Sequence, residues 1–215
     1  MKNKINPIEK VFEELNEMKE EGVVEDFVIG GGIALLFYEI PFLATEDIDI
    51  FIPPACRKKV LEYTEKKFNH HEDFVNIHGW AVQFFPCNLN RMVEEGCKRA
   101  VLKRVNNIPV KVMPLEYLTL NYLYLFRPKD RFKLIFILPS PALNRQKLER
   151  LIQECQERNL LLKRYHSAIE DAAKTEMEKV YERSARNDVR KKFFILQEFL
   201  RISKMEEHDK EISKT

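Results

Sequence analysis

The spacing of apolar residues divides the chain into a mixed first half and a helical second half. Between residues 5 and 18, apolar side chains recur every three or four positions, which predicts an amphipathic helix closed by Gly22. Residues 26–30 form a short apolar run, and residues 47–52 alternate strictly, so both segments are predicted strands. From Pro114 onward every apolar pattern has the helical period.

Several further elements are predicted between these segments. A helix, two strands around a tight turn and a second helix are expected at residues 57–68, 74–77, 80–85 and 89–95. The following stretch reads as a hairpin that turns at Asn106 and Asn107, because asparagine tolerates the left-handed backbone of such turns. Pro109 lacks an N–H group and predicts an edge strand.

These patterns predict an α+β fold with a small mixed sheet, extended by helices. The boundaries predicted are an α+β domain over residues 1–113 and a helical domain over 114–215, which ends in a long C-terminal helix. With 45% hydrophobic and 33% charged residues, the chain can bury a core. Its net charge of +2 excludes a general attraction to nucleic acid, so RNA contact would need a local basic patch.

Cysteine usage and hydropathy bear on the cellular compartment. The four cysteines, Cys56, Cys87, Cys97 and Cys155, lack the close spacing of a zinc site, and we expect reduced thiols. The N-terminal segment has no apolar signal region, and no apolar stretch approaches the length of a membrane span. The expected location is cytoplasmic, with no membrane partner.

Three consecutive glycines, Gly30, Gly31 and Gly32, stand between a predicted strand and a predicted helix. Without Cβ atoms the backbone can approach a phosphate closely, and the start of the helix offers free N–H groups. The alternative is a turn that packs closely against a neighbouring element. The glycines alone do not decide between the two.

Two aspartates follow on the next predicted strand, at a spacing of two. Residues i and i+2 of a strand point to the same side, so Asp47 and Asp49 would repel each other unless cations lie between them. Two divalent metal ions would resolve the repulsion and could clamp the oxygens of a phosphoryl transfer. The alternative is an exposed sheet face with two solvated acids.

The combined pattern resembles the signature of the DNA polymerase beta-like nucleotidyltransferase superfamily. The motifs that carry the resemblance are "IGGGIALLF" and "ATEDIDIFI". More narrowly, the chain looks like the branch of AbiEii-type toxins and minimal nucleotidyltransferases. The stretch "PLEYLTLNYLYLFRPKDRFKLIFIL" is similar to a second marker of that branch, which is a helix, an Arg-x-Lys-Asp turn and another helix.

The resemblance implies a role for each of these motif residues. Asp47 and Asp49 would bind Mg²⁺ or Mn²⁺ and, with position 83, form the catalytic set. The nucleotide-binding residues that it implies are Gly30, Gly31, Gly32, Thr45, Arg127, Lys129 and Asp130. Chemically, the two cations can neutralise triphosphate charge, and Asp130 can orient one of them. An ion-pair cluster at the start of a helix is the alternative for that turn.

Two sites in the sequence depart from the pattern of the family. The third carboxylate of active members falls at Gln83, whose neutral amide can bind a metal weakly but cannot accept a proton. Asn121 and Tyr122 stand where relatives often carry a lysine that points toward the phosphates.

Three functions therefore stay open. The first is a metal-dependent nucleotidyltransferase that moves a nucleoside monophosphate from a nucleoside triphosphate to a hydroxyl of RNA, protein or a small molecule. The alternative is a catalytically degenerate protein of the same fold, which binds nucleotide, RNA or a partner protein in a toxin–antitoxin or defence system. The third is a scaffold whose long C-terminal helix pairs with a partner or with a second copy in a homo-oligomer.

Overall fold

The structure is a computed structural model and describes residues 7–40 and 47–175. Its strands are β1 Val28–Ile29, β2 Asp47–Ile52, β3 Asn69–His70, β4 Val75–Ile77, β5 Trp80–Pro86, β6 Val101–Val105 and β7 Ile108–Val112. Its α-helices are α1 Glu9–Glu20, α2 Gly31–Leu36, α3 Arg57–Lys67, α4 Arg91–Lys98, α5 Leu115–Leu125, α6 Pro128–Ile137, α7 Arg145–Gln153 and α8 Arg158–Lys174. A 3-10 turn, Pro54–Cys56, precedes α3. Thr45 and the part of the predicted C-terminal helix after residue 175 lie outside the described residues.

The seven described strands form one mixed sheet in the order β3-β4-β5-β2-β1-β7-β6. Strand β2 lies at its centre, parallel to β5 on one side and antiparallel to β1 on the other. Ile48 and Ile50 of β2 are fully buried, as their alternation with acidic residues predicts. The predicted α+β class with a mixed sheet is confirmed.

The β6–β7 hairpin turns at the two predicted asparagines, whose φ angles are 45° at Asn106 and 66° at Asn107. The edge prediction from Pro109 is wrong, because β7 lies between β1 and β6 and the edge strand is β6. Proline is tolerated in β7 because β1 has only two residues and pairs with β7 at Ile29 and Val112. Among the described strands, Pro109 therefore pairs with β6 alone, and its carbonyl oxygen accepts a 3.1 Å hydrogen bond from Asn16 Nδ2 of α1.

One cluster of buried apolar residues joins the sheet to the helices on both sides of residue 113. It includes Phe12 of α1, Ile29 of β1, Leu134 of α6 and Tyr165 of α8. The predicted domain boundary at this position stays a prediction. Among the described residues, no helix combines the length and apolar composition that a bilayer span requires.

A buried carboxylate of α1 binds side chains of α3 and of the turn between β4 and β5. The Glu14 side chain is 3% exposed. It accepts hydrogen bonds of 2.8 Å from the Tyr63 hydroxyl and from Lys67 Nζ, and His78 Nε2 lies 3.3 Å away. These partners come from α3 and from the turn between β4 and β5. A carboxylate this deeply buried is tolerated only because donors surround it.

We expect Glu14→Ala to lower the free energy of unfolding by about 1–3 kcal/mol, because it removes the acceptor shared by the half-buried Tyr63 and His78 and the exposed Lys67. Guanidinium denaturation followed by circular dichroism would measure the change. The matched control is Glu13→Ala, which removes a neighbouring carboxylate that pairs with Lys10 on the exposed face of α1. Equal losses in the two variants would contradict a special role for Glu14.

Candidate active site

Strand β2 places two carboxylates on one face of the sheet. Asp47 and Asp49 are two residues apart, so their side chains leave the strand on the same side, roughly 6.6 Å apart along it. Both aspartate side chains are half-buried. The alternating residues Ile48 and Ile50 are fully buried on the other face of the strand. The like charges are thus held on the central strand, away from bulk solvent.

The glycine turn lies directly against this pair. The Gly30 N–H donates a 2.9 Å hydrogen bond to the carbonyl oxygen of Asp49. Gly31 has a φ of +57°, and a Cβ atom there would come within 1.7 Å of Asp49 Oδ2. A Cβ atom on Gly30 would lie 2.3 Å from Cε2 of Phe51, and Gly32 is buried in the first turn of α2. Close packing therefore requires glycine at positions 30 and 31, and the group that fills the space at position 31 is a predicted metal ligand.

The start of α6 carries a rigid ion pair. Asp130 is fully buried and accepts hydrogen bonds from Arg127, at 3.0 Å from the backbone N–H, 2.7 Å from Nε and 3.1 Å from Nη2. The helix-start cluster considered as an alternative is thus present. It also fixes the orientation of the Arg127 guanidinium, whose side chain stays half exposed.

The same turn of α6 faces the aspartates. Burial, and next the charge of Asp47, raise the pKa of Asp49 to about 6. Lys133, Lys129 and Arg127 act in the opposite direction, which places all three cations within electrostatic range of the Asp49 carboxylate. Their charges do not fully offset the effects of burial and of Asp47 on the pKa of Asp49.

Lys133 is a site residue that the sequence analysis missed. Burial lowers the pKa of Lys133, although nearby carboxylates, first among them that of Asp49, oppose the shift. Its Nζ atom lies 4.9 Å from the centre of the Tyr122 ring. Lys129 and Lys133 are four residues apart, so they share one face of α6, and this spacing is the signal that could have found it. Helix α6 thus supplies an ammonium group beside Tyr122 of α5.

Two polar side chains of α5 end in buried atoms beside this site. Among the described residues, the Tyr122 hydroxyl and Asn121 Oδ1 have no hydrogen-bond partner. Burial, followed by the charge of Asp49, raises the pKa of Tyr122 well above its usual value. The tyrosine therefore stays a neutral donor with unused hydrogen-bonding capacity near the carboxylates.

Gln83 lies next to Asp49 on the neighbouring strand. The two residues are in direct register across the parallel pair β2–β5. The amide Nε2 of Gln83 donates a 3.1 Å hydrogen bond to the carbonyl oxygen of Asp73, in the loop between β3 and β4. A carboxylate at position 83 could not donate this bond. The neutral side chain also avoids a third negative charge beside Asp49.

The donor set fits a divalent metal ion that arrives with phosphate. In residues 7–40 and 47–175, no group of three or more acidic, histidine or cysteine side chains is arranged to hold a metal. Mg²⁺ commonly binds through one or two carboxylates and completes its shell with waters and substrate phosphates. Asp47 and Asp49 provide two such carboxylates, and a cation between them would offset the charge that raises the pKa of Asp49.

We expect Gly31→Ala to lower the free energy of unfolding by about 3 kcal/mol or more, because strained backbone and a clash with the Asp49 carboxylate add together. The matched control is Gly22→Ala. Gly22 also has a positive φ of +72°, but a Cβ atom at that position would meet nothing within 4 Å. That variant should lose only about 1 kcal/mol, the cost of the left-handed backbone. Similar losses at the two positions in urea denaturation would show that the contact with Asp49 is unimportant.

The pKa of Asp49 predicts a pH-dependent gain from Asp49→Asn. A carboxyl whose pKa rises from about 3.9 unfolded to about 6 folded destabilises the protein progressively as pH increases through that window. In EDTA, the variant should unfold at higher denaturant than wild type at pH 7, by as much as about 3 kcal/mol, and the gain should vanish near pH 4.

Asp26→Asn provides a control of opposite sign. Burial acts to raise the pKa of Asp26, but hydrogen bonds from Lys111 and Lys19 outweigh it and lower that pKa. Removing this carboxylate should therefore reduce stability at pH 7. A gain in both variants would point to a general effect of lowering negative charge.

Comparison with known proteins returns nucleotidyltransferase structures at low similarity. A solution structure of the antibiotic-resistance factor ANT(2'')-Ia is 15% identical, covers 77% of this chain and 96% of its own, and has a TM-score of 0.47. A crystal structure of ANT(2'')-Ia in complex with adenylyl-2''-tobramycin is 17% identical, covers 72% of this chain and 97% of its own, and has a TM-score of 0.48. A crystal structure of an antigenic nucleotidyltransferase-like protein from Paracoccidioides brasiliensis is 17% identical, covers 71% of this chain and 90% of its own, and has a TM-score of 0.40. No protein-family model and no curated protein sequence matches the chain. Since all three TM-scores are below 0.5, function has to be inferred from the residues of the chain's own site.

Proposed function

We propose that this chain is a metal-dependent nucleotidyltransferase. It moves a nucleoside monophosphate from a nucleoside triphosphate to a hydroxyl acceptor and releases pyrophosphate. One observation carries the proposal: the Asp49 carboxylate lies against Gly31, beside Asp47 on the same face of β2, with cations of α6 in range. The narrower AbiEii-type branch, the base of the nucleotide and the class of acceptor stay predictions.

The cations of α6 suit the charge of a triphosphate. Lys129 and Arg127 are exposed at the start of the helix and can reach phosphate oxygens from solvent. Asp130 holds the guanidinium of Arg127 in one orientation, which reduces the entropy lost when it binds. Lys133 is half-buried beside Asp49, so it can contact a phosphate near the carboxylates.

The chemistry follows from this arrangement. The acceptor hydroxyl oxygen forms a bond to the α-phosphorus in line with the bond to the β-phosphate, which breaks, and the hydroxyl proton passes to water. Asp47 and Asp49 would hold Mg²⁺ or Mn²⁺, which when bound polarises phosphoryl oxygens as a Lewis acid. Because Gly31 has no Cβ atom, the Asp49 carboxylate can pack directly against it, and the turn and the carboxylate hold each other in position. The cations of α6 offset the charge that collects on the leaving pyrophosphate.

Gln83 favours one second candidate function. Active relatives, by the resemblance, use a carboxylate at the position that here pairs with Asp49. An amide there cannot take the proton of an attacking hydroxyl. A nucleotide-binding module without turnover would keep the phosphate and metal contacts and lose only this step. It predicts nucleotide affinity without transfer.

The proposal is tested by incubating the full-length protein with each α-labelled nucleoside triphosphate, Mg²⁺ or Mn²⁺, and a pool of cellular RNA and protein. We expect wild type to transfer label and Asp49→Asn to lose transfer by on the order of 10³-fold, because the metal loses a charged ligand. Transfer that survives in Asp49→Asn would contradict the assignment of this site.

Lys133→Ala extends the test to the residue found only in the structure. We expect it to raise the KM for the nucleoside triphosphate by roughly tenfold, since one phosphate contact is lost. The matched control is Lys103→Ala, a half-buried lysine on the edge strand β6, which should leave KM unchanged.

Equilibrium nucleotide binding, measured in parallel, separates the two candidate functions. Binding without transfer in wild type would favour the binding module. Transfer gained in Gln83→Glu would then identify a lapsed enzyme on an intact site.

A further inference from the structure

Two cysteines line one cavity, of about 320 Å³, which the proposed function does not use. Cys87 directly follows β5, and its backbone N–H donates a 2.8 Å hydrogen bond to the carbonyl oxygen of Ile52. Cys97 lies in the last turn of α4. Both line the cavity together with Asp26 and Lys98, and both are half-buried. A small solute can therefore reach the two thiols.

The two thiols line the same cavity and lie close enough to influence each other's acidity. A hydrogen bond from Cys97 lowers the pKa of Cys87, whereas the same bond, together with burial, raises the pKa of Cys97. Cys87 is thus the more acidic of the two thiols, and Cys97 is the less acidic. Both are free cysteines. This arrangement, a more acidic thiol beside a second one, is that of a reactive and a resolving cysteine.

The pair lies far from the candidate active site. In the register between β2 and β5, Asp47 pairs with Ala81 and Ile52 pairs with Pro86. Cys87 therefore follows the end of the sheet that is opposite to Asp47, roughly 20 Å from Asp47 and roughly 13 Å from Asp49 along the strand. The thiols therefore lie outside the candidate active site.

We propose that Cys87 and Cys97 form a reversible oxidation site, at which a peroxide converts the two thiols into an intramolecular disulfide. The Cys87 sulfur attacks one peroxide oxygen, the O–O bond breaks, and Cys87 becomes a sulfenic acid while the peroxide is reduced. The Cys97 sulfur then attacks the Cys87 sulfur, the S–O bond breaks and water leaves. With hydrogen peroxide, the net products are one disulfide and two waters, and a small-molecule thiol reverses the change.

The test uses reduced, full-length protein exposed briefly to hydrogen peroxide, then alkylated and mapped by mass spectrometry. We expect Cys87 and Cys97 to become protected from alkylation as one crosslinked peptide pair, and dithiothreitol to restore both. The half-buried Cys155, whose thiol donates to the Leu151 carbonyl oxygen and whose pKa burial raises, is the reference thiol. Cys87 should react at least roughly tenfold faster than Cys155, because more of it is thiolate.

Three variants make the result decisive, with circular dichroism to verify that each is folded. Cys87→Ser should abolish the protection of Cys97. Cys97→Ser should leave a sulfenic acid at Cys87 that a dimedone probe captures. The matched control, Cys155→Ser, should behave as wild type. Two results with the wild-type protein would each overturn the proposal. One is alkylation of Cys87 and Cys97 after peroxide at the same rate as Cys155, and the other is disulfides that form only between molecules.

Discussion

The contact between Gly31 and the Asp49 carboxylate is the constraint on which the site depends. A Cβ atom at position 31 would occupy the place of Oδ2, and the backbone there is left-handed, so only glycine satisfies both demands. The contact brings the exit of β1 against the central strand, and the 2.9 Å hydrogen bond from Gly30 to the Asp49 carbonyl holds it there. Carboxylate, glycine turn and helix start thereby become one rigid unit.

That rigidity creates an electrostatic problem that the rest of the site addresses. Asp49 is half-buried beside a like charge, and the cations of α6 act to lower its pKa without returning it to the usual range. Asp130 meanwhile engages Arg127 through three hydrogen bonds, which diverts part of one cation's charge from the aspartates. A divalent cation bound at Asp49 would offset the repulsion from Asp47 that contributes to its raised pKa.

Local sequence pattern determined much of this arrangement in advance. Strict alternation over β2 and the glycine run were sufficient to predict the strand, the turn and the shared face of Asp47 and Asp49. Lys133 was missed because a lysine on a helix is ordinarily solvated, and its approach to Asp49 depends on how α6 packs. The β2–β5 pairing was also beyond local pattern, since β3 and β4 intervene and parallel register leaves no short-range signal. The wrong edge assignment from Pro109 has the same cause, because it required the length of β1.

The register of Gln83 with Asp49 sharpens the choice between enzyme and binding module. Loss of a general base typically costs on the order of 10²–10⁴ in rate, whereas enzymatic phosphoryl transfer depends mainly on positioning and charge neutralisation. A site that retains two carboxylates, a fixed glycine turn and the α6 cations therefore keeps the larger contributions. The amide of Gln83 cannot accept a proton. It does donate a hydrogen bond to the Asp73 carbonyl oxygen in the β3–β4 loop, and it adds no negative charge beside Asp49. On this balance, glutamine at position 83 is compatible with a slow transferase, and physical chemistry does not require the site to be inactive.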